Sequence, residues 1–542
     1  MKTPTLSRRE WLKTGGAAAA FAAFGGLPER LLAAAGQSRQ IAGYNPALLP
    51  DTTTLAKWLQ QLHDFGPIRM TGTPQCRAFE EFLAQRVTAL GFTLERDQFR
   101  LTSWECRITD CSISIKEDSG ATHDVEIVAY YPFGGSTRGR GPAVGRVLHV
   151  PAVGAEAVRA FADSIDAAAL ANSIVVVDMP LLRQAAPPAN GAVRAAAAPA
   201  AARGPLGRFP EKAPDRVGGA SPAGQGGRDI MEIFEHRSKG LIMCYTDISN
   251  DAARHNYLPF SDQHRLLPCI WAGADGSKYL QSVSGKATAT IRCDARLTPD
   301  SRADTLLATL KGQSDEVVWL TTQTDGPNEC NENGGLGVLA LATYWSNVPL
   351  AERKRTIVAC FPTAHYAAGA VADRVTGSGR RGGTGGALTK WPEVAKRIVG
   401  QISLEQMGAM EWVDLNGRFV ATGNVASERW IVTPATEEAS AKIFMASTIG
   451  ENPAYSNAAC VHEAGAPGEG GALRSRGLPG VGLMGQPTYF FRCDPDGVLE
   501  KLNPNVMRNQ VAFATKMTVL MSRLTPDQLQ GKAPITDADL FG

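Results

Sequence analysis

The chain lacks any imbalance of charge: across 542 residues, 55 Lys and Arg stand against 53 Asp and Glu, a formal net charge of +2. No basic stripe interrupts that balance, so nothing points to a nucleic-acid partner. No apolar run is long enough to hold the mature chain in a membrane as a stable span. The ten cysteines are scattered without a C-x-x-C pair, which speaks against a zinc ribbon or a dense disulfide framework. Cys106 and Cys111 are the closest pair, and Cys460 and Cys493 flank a later loop. A serine hydrolase would want a G-x-S-x-G elbow, and the chain has none. What is present is a 44% hydrophobic sequence, enough for two or three globular units with a large core.

The first residues carry an export pattern. Ser7-Arg8-Arg9-Glu10-Trp11-Leu12-Lys13 precedes the mildly apolar, Ala/Gly-rich run from Gly15 to Leu27, and a small-residue A-x-A site follows at Ala33 to Ala35. Twin arginines, apolar run and small-residue site in that order read as a twin-arginine signal over residues 1–36. The expectation is a periplasmic or secreted protein that meets the twin-arginine export machinery already folded.

Two helices are expected between Thr53 and Phe92, one burying Leu55, Leu59 and Leu62, the other Phe79, Phe82, Leu83, Val87 and Leu90. Strands follow at Phe99 to Ile115 and Val125 to Tyr131. Val144 to Val150, Ser173 to Asp178 and Gly240 to Tyr245 are then short apolar runs separated by long polar stretches, as in a separate β-rich domain ending near Cys293. Within it, residues 183–229 are rich in Ala, Gly and Pro and cannot bury enough apolar surface to offset ordering entropy, so a flexible excursion is expected.

The most informative stretch is Glu316 to Tyr344. The β-branched and aromatic run Val317 to Thr322 reads as a buried parallel strand, and the spacing of Leu336, Leu339, Ala340 and Thr343 predicts a helix. Between them lies a polar, Gly-rich loop carrying Asp325, Glu329 and Glu332. In open α/β sheets ligands collect at the carboxyl ends of strands, which makes this loop the leading site candidate; the alternative is a solvated acidic loop. Two more strands, Arg355 to Phe361 and Ile398 to Leu404, run into His365 and Glu405. A core strand has no structural need of an ionisable residue at its end, so the three ends together favour one shared cleft.

This order of parts resembles the two-zinc aminopeptidase and glutamate carboxypeptidase family of exopeptidases. The likeness rests on the turn carrying Phe65, Gly66, Arg69 and Gly72, on Thr305 to Gly312 as the segment re-entering the catalytic sheet, and on Ser173 to Asp178 with Gly240 to Tyr245 as the core of a protease-associated domain. The resemblance implies an α/β fold: a mixed, mostly parallel sheet flanked by helices, with an inserted β-rich domain. Residues 37–124 would be the helical lead and first strands, 125–293 the insert, and 294–542 the main α/β domain.

The family's site residues carry over one at a time, and most are replaced. Its H-x-D motif becomes Gln323-Thr324-Asp325, so only the base-orienting Asp325 is unchanged. The bridging Asp corresponds to Glu332, the Glu-Glu pair falls on Ala364 and His365, the later Asp on Glu405, and the final His on Arg492. Arginine has no lone pair and a permanent charge, so Arg492 would repel a metal there, and Ala364 cannot take a proton from water. An ordinary two-zinc centre is therefore not expected. Two readings stay open for a site that recognises peptides or small amides. In one, Arg492 supplies the missing metal's positive charge, leaving Asp325, His365 and Arg492 as the central polar groups and Gln323, His462 and Glu469 for ligand binding. In the other, one divalent metal sits on Glu332, His365 and Glu405, or His365 acts as a base without a metal. A glycosidase-like carboxylate pair would want sugar-stacking tryptophans, of which no cluster is evident. A non-catalytic adaptor is a third possibility, since a protease-associated domain can mediate contacts by itself.

Overall fold

The computed structural model describes residues 40–180, 229–255, 264–367, 382–461, 468–489, 492–493 and 496–542. The expected signal, the 183–229 excursion apart from Asp229, and His462 lie outside these residues.

Alternation of side chains builds the first sheet. In Ser314–Thr321 and Arg355–Phe361, the residues Val318, Leu320, Ile357, Ala359 and Phe361 face one core, while Val317, Trp319, Val358 and Cys360 face another on the opposite side. Both faces are covered, which is why these strands read as continuous apolar runs. The helices Thr52–Asp64, Pro74–Ala89, Gly334–Ser346 and Pro504–Arg523 close the first face, and Gly383–Lys390 closes the second. Truncating a side chain buried as fully as Leu320 or Leu336 would cost about 2–5 kcal/mol.

The eight strands of this sheet lie in the order Thr93–Glu105, Arg296–Leu310, Arg355–Phe361, Ser314–Thr321, Ile398–Ser403, Gly480–Gly485, Glu428–Val432 and Ala458–Val461. The central four run parallel, so their carboxyl ends meet on one edge. The flanking Arg296–Leu310 and Glu428–Val432 pair antiparallel, making the sheet mixed. Gly334 lets the helix after the central strand start against this edge: a Cβ there would lie 1.8 Å from the Leu404 carbonyl oxygen.

A second sheet, also of eight strands among the described residues, is built from strands between Cys111 and Cys293, with Ala143–Val150, Ser173–Met179, Gly240–Tyr245 and Cys269–Ala272 parallel at its centre. It also takes in Cys111–Glu117 and Thr122–Asp124, which the sequence assigned to the other unit. The reason is a break at Cys106 to Asp110: the expected single strand from Phe99 to Ile115 is two strands, one in each sheet, joined by a 3-10 turn over Ile108–Asp110. Among the described residues, no helix is long and apolar enough to cross a membrane.

Candidate functional site

The loop after the central strand is not solvated. Every residue from Thr321 to Asn333 is buried, including Asp325, Glu329 and Glu332 at 0% exposure. Buried polar groups must find partners, and here they hold the loop's shape. Asn328 Oδ1 accepts from the Cys330 and Asn331 amides, and Asn333 exchanges two 2.8 Å hydrogen bonds with the Met407 backbone. The turn carrying Phe65, Gly66, Arg69 and Gly72 braces the loop from outside. Arg69 pairs with Gly326 through both backbone groups, and its buried guanidinium donates to the Asn328 carbonyl. Glu329 is held by His63 and by the Val498 amide, away from the other carboxylates' shared contacts.

Asp325 positions the neighbouring strand end. Its Oδ1 accepts from the His365 amide at 3.1 Å, and its Oδ2 from the Tyr366 amide at 3.1 Å and the Thr71 hydroxyl at 2.6 Å. Both oxygens are thereby engaged with the backbone of the turn that presents His365, Oδ2 with Thr71 as well. Ala364 sits in the left-handed region with φ 66°, a conformation costly for a residue with a Cβ, and the turn it makes aims His365 back over the loop.

His365 Nδ1 lies 3.1 Å from Glu332 Oε1 and 2.9 Å from Glu469 Oε1. Glu469 arrives from a Gly-rich segment far along the chain; its second oxygen accepts from Gln323, and its amide donates to Glu405 Oε1 at 3.1 Å. The other Glu405 oxygen takes the Gln406 side chain at 2.9 Å. Close approach requires Gly468: its φ is +75°, and a Cβ would stand 2.3 Å from Glu405 Oε1.

Three carboxylates and one imidazole thus share a nearly dry site. Burial, then the facing Glu469 charge, pushes the Glu405 carboxyl up to about 7. Burial raises Glu332 well above the carboxylate range, partly offset by His365. At His365 burial opposes the charged form, but Glu469 and Glu332 overcome it and hold the imidazole well above its usual value. With its side chain 25% exposed, His365 is the member that reaches solvent.

The expected residues are therefore brought together only in part. Gln323, Glu332, His365, Glu405 and Glu469 form one connected cluster. The expected metal set of Glu332, His365 and Glu405 is altered: the donor atoms that converge within 4.8 Å belong to Glu332, His365 and Glu469, while Glu405 supports Glu469 from behind. Arg492 does not join the cluster through any described hydrogen bond. Its guanidinium donates to the Val128 carbonyl at 2.7 Å in the second sheet, and its own carbonyl accepts from Asn328. The basic group found between the carboxylates is His365. Thr71, Tyr366 and Gln406 were missed. Tyr366 donates to Asn331 Oδ1 at 2.9 Å, and Gln406 to the Asn331 carbonyl at 3.2 Å, so both steady the loop that carries Glu332.

The mixed α/β fold, with helices flanking its sheets, is that of zinc aminopeptidases. Among solved structures, it is similar to a peptidase M28 precursor from Shewanella amazonensis, with 14% identity, TM-score 0.55 and coverage of 87% of this chain and 96% of that one. A zinc aminopeptidase from Bacillus subtilis gives 11% identity, TM-score 0.54 and coverage of 87% and 95%. An aminopeptidase from Aneurinibacillus sp. strain AM-1 gives 12%, 0.52, and coverage of 88% and 95%. No protein-family profile matches the chain, and no curated protein sequence does.

The site's own donors decide how a zinc centre of that fold would fit. Two carboxylates and an imidazole converging from three elements suit one divalent ion with an open position. Glu332 Oε2, buried without a hydrogen-bond partner, is an oxygen such an ion would satisfy. Among the described residues no second acid and histidine set adjoins it.

Proposed function

We propose that the chain is an exported protein of aminopeptidase fold that recognises peptides or related amides at this remodelled carboxylate cluster. One divalent cation on Glu332, His365 and Glu469 would complete the cluster. The convergence of their donor atoms within 4.8 Å, beside the unpartnered Glu332 Oε2, carries the reading. When bound, such an ion polarises a carbonyl oxygen and acidifies water. Asp325 sets the His365 backbone, and Gln323 with the Glu405 carboxyl orients Glu469.

Ordinary two-zinc hydrolysis is not part of the proposal, because Ala364 supplies no base and Gln323 replaces an imidazole. A second reading, a binding protein without turnover, draws on that same alanine. Export is supported by the Arg8-Arg9 motif and the apolar run behind it. The test is a panel of peptides and amides offered to wild type and His365→Ala, with binding and hydrolysis recorded with and without added zinc. Binding that His365→Ala abolishes supports the proposal, and added hydrolysis selects the enzyme over the binding protein. No binding by any peptide or amide refutes it.

A further inference from the structure

Away from this cluster, three cysteine sulfurs meet where the chain passes between the two sheets. Cys106 ends the outward crossing from Thr93–Glu105, Cys111 opens the first strand of the second sheet, and Cys293 closes the last strand before the chain returns at Arg296–Leu310. Cys106 Sγ lies 3.6 Å from Cys111 Sγ and 3.9 Å from Cys293 Sγ, and the three sulfurs all fall within 4.8 Å of one another.

The backbone holds them there. The Arg107 amide donates to Asp110 Oδ2 at 3.0 Å, closing the turn that folds Cys106 back on Cys111. Cys111 and Cys293 are directly opposed on antiparallel strands. Cys293 spends both its backbone groups on Thr137 instead of Cys111, so the two form a non-hydrogen-bonded pair, in which side chains stand closest.

We propose that Cys106, Cys111 and Cys293 form a trithiolate site for one thiophilic d10 cation, Zn(II) or Cu(I), which clasps the two crossings between the sheets. A d10 ion with metal–sulfur bonds of about 2.3 Å separates tetrahedral sulfur ligands by roughly 3.8 Å, the spacing found around Cys106. A disulfide would draw two sulfurs to about 2.05 Å and leave the third unpaired. Cys106 also lines a cavity of about 260 Å³ that offers an ion entry and room for a fourth, non-protein ligand. That cavity's charges balance, with Glu105, Asp110 and Asp294 against Arg107, Arg138 and Arg296, so affinity must come from the sulfurs. On binding, each thiol releases its proton to solvent and its thiolate donates a lone pair, with no change of oxidation state.

The full chain, reduced and kept under anaerobic conditions, is titrated with Cd(II), Zn(II) and Cu(I) in separate experiments. The expected result is one equivalent of Cd(II) with an ultraviolet thiolate-to-metal charge-transfer band, which carboxylates cannot give. Cu(I) should displace it, and Cd(II) added to the zinc-loaded chain should displace Zn(II) and bring up the same band. Cys111→Ser changes the half-buried member and should fold normally while weakening binding by at least about tenfold. Absence of the band, a band undiminished in Cys111→Ser, or a Cys106–Cys111 or Cys111–Cys293 disulfide in the chain as isolated from cells would overturn the proposal.

Discussion

Glu80 shows how the fold holds acid below the site, and Glu80→Gln turns that into a measurement. The side chain projects from Pro74–Ala89 toward Arg296–Leu310 and is 2% exposed. Burial, followed by the Asp304 charge, pushes its carboxyl up from 4.5 to about 8. A folded-state value above the unfolded one means that stability is lost as pH rises from about 4.5 through about 8. At about 1.4 kcal/mol per pH unit the loss reaches about 5 kcal/mol, an order-of-magnitude figure. Glutamine does not titrate, so the variant escapes that loss. Its oxygen can keep the Asp304 amide at 3.2 Å, but its amide nitrogen then faces the Cys76 thiol at 3.4 Å and the Thr363 hydroxyl, which must turn to accept, at a cost of about 1–2 kcal/mol. Glu80→Gln should therefore be less stable than wild type by about 1 kcal/mol at pH 5 and more stable by about 3 kcal/mol at pH 9. Urea unfolding followed by tryptophan fluorescence across that range, with chelator present, reads the crossover. A difference that does not change with pH, or a variant still weaker at pH 9, would refute the reasoning.

Three further outcomes are expected. His365→Ala leaves Glu332 and Glu469 facing each other and should cost about 3 kcal/mol in chelator at pH 6, the low end for a broken buried pair because the imidazole touches solvent. Since the folded His365 value is raised, that deficit is full below about 6.5 and shrinks as pH climbs through the folded value; urea midpoints at pH 6 and 10 test it. Gly468→Ala forces a Cβ against Glu405 and an unfavourable φ, so it should lose about 1–2 kcal/mol and weaken zinc uptake together, measured by calorimetry. Replacing Arg8 and Arg9 by lysine should leave the precursor in the cytoplasm, and cell fractionation with unaltered export would contradict the signal reading.

Much of the parallel core was legible because its strands are buried on both faces. Gly240–Tyr245 and Arg355–Phe361 match their expected bounds. Arg296–Leu310 was seen only in its last residues, since its first half is exposed, polar and carries Pro299. Strand-end logic found Glu332, His365 and Glu405, which local sequence displays. It could not assign the second carboxylate on His365, because Glu469 meets Gln323 across 146 positions. Arg492 was placed by motif matching alone, and a matched position does not fix where a long side chain points. The cysteine cluster was equally invisible: Cys106 and Cys293 are 187 positions apart.

The central claim is a single cation on Glu332, His365 and Glu469, and metal stoichiometry tests it most directly. In a Cys106→Ser, Cys111→Ser background, which leaves a single sulfur and so takes the thiolate site out of the count, the chain loaded with zinc and freed of excess should hold one ion that His365→Ala loses. Two zinc ions per chain, none at all, or one that survives His365→Ala would contradict it.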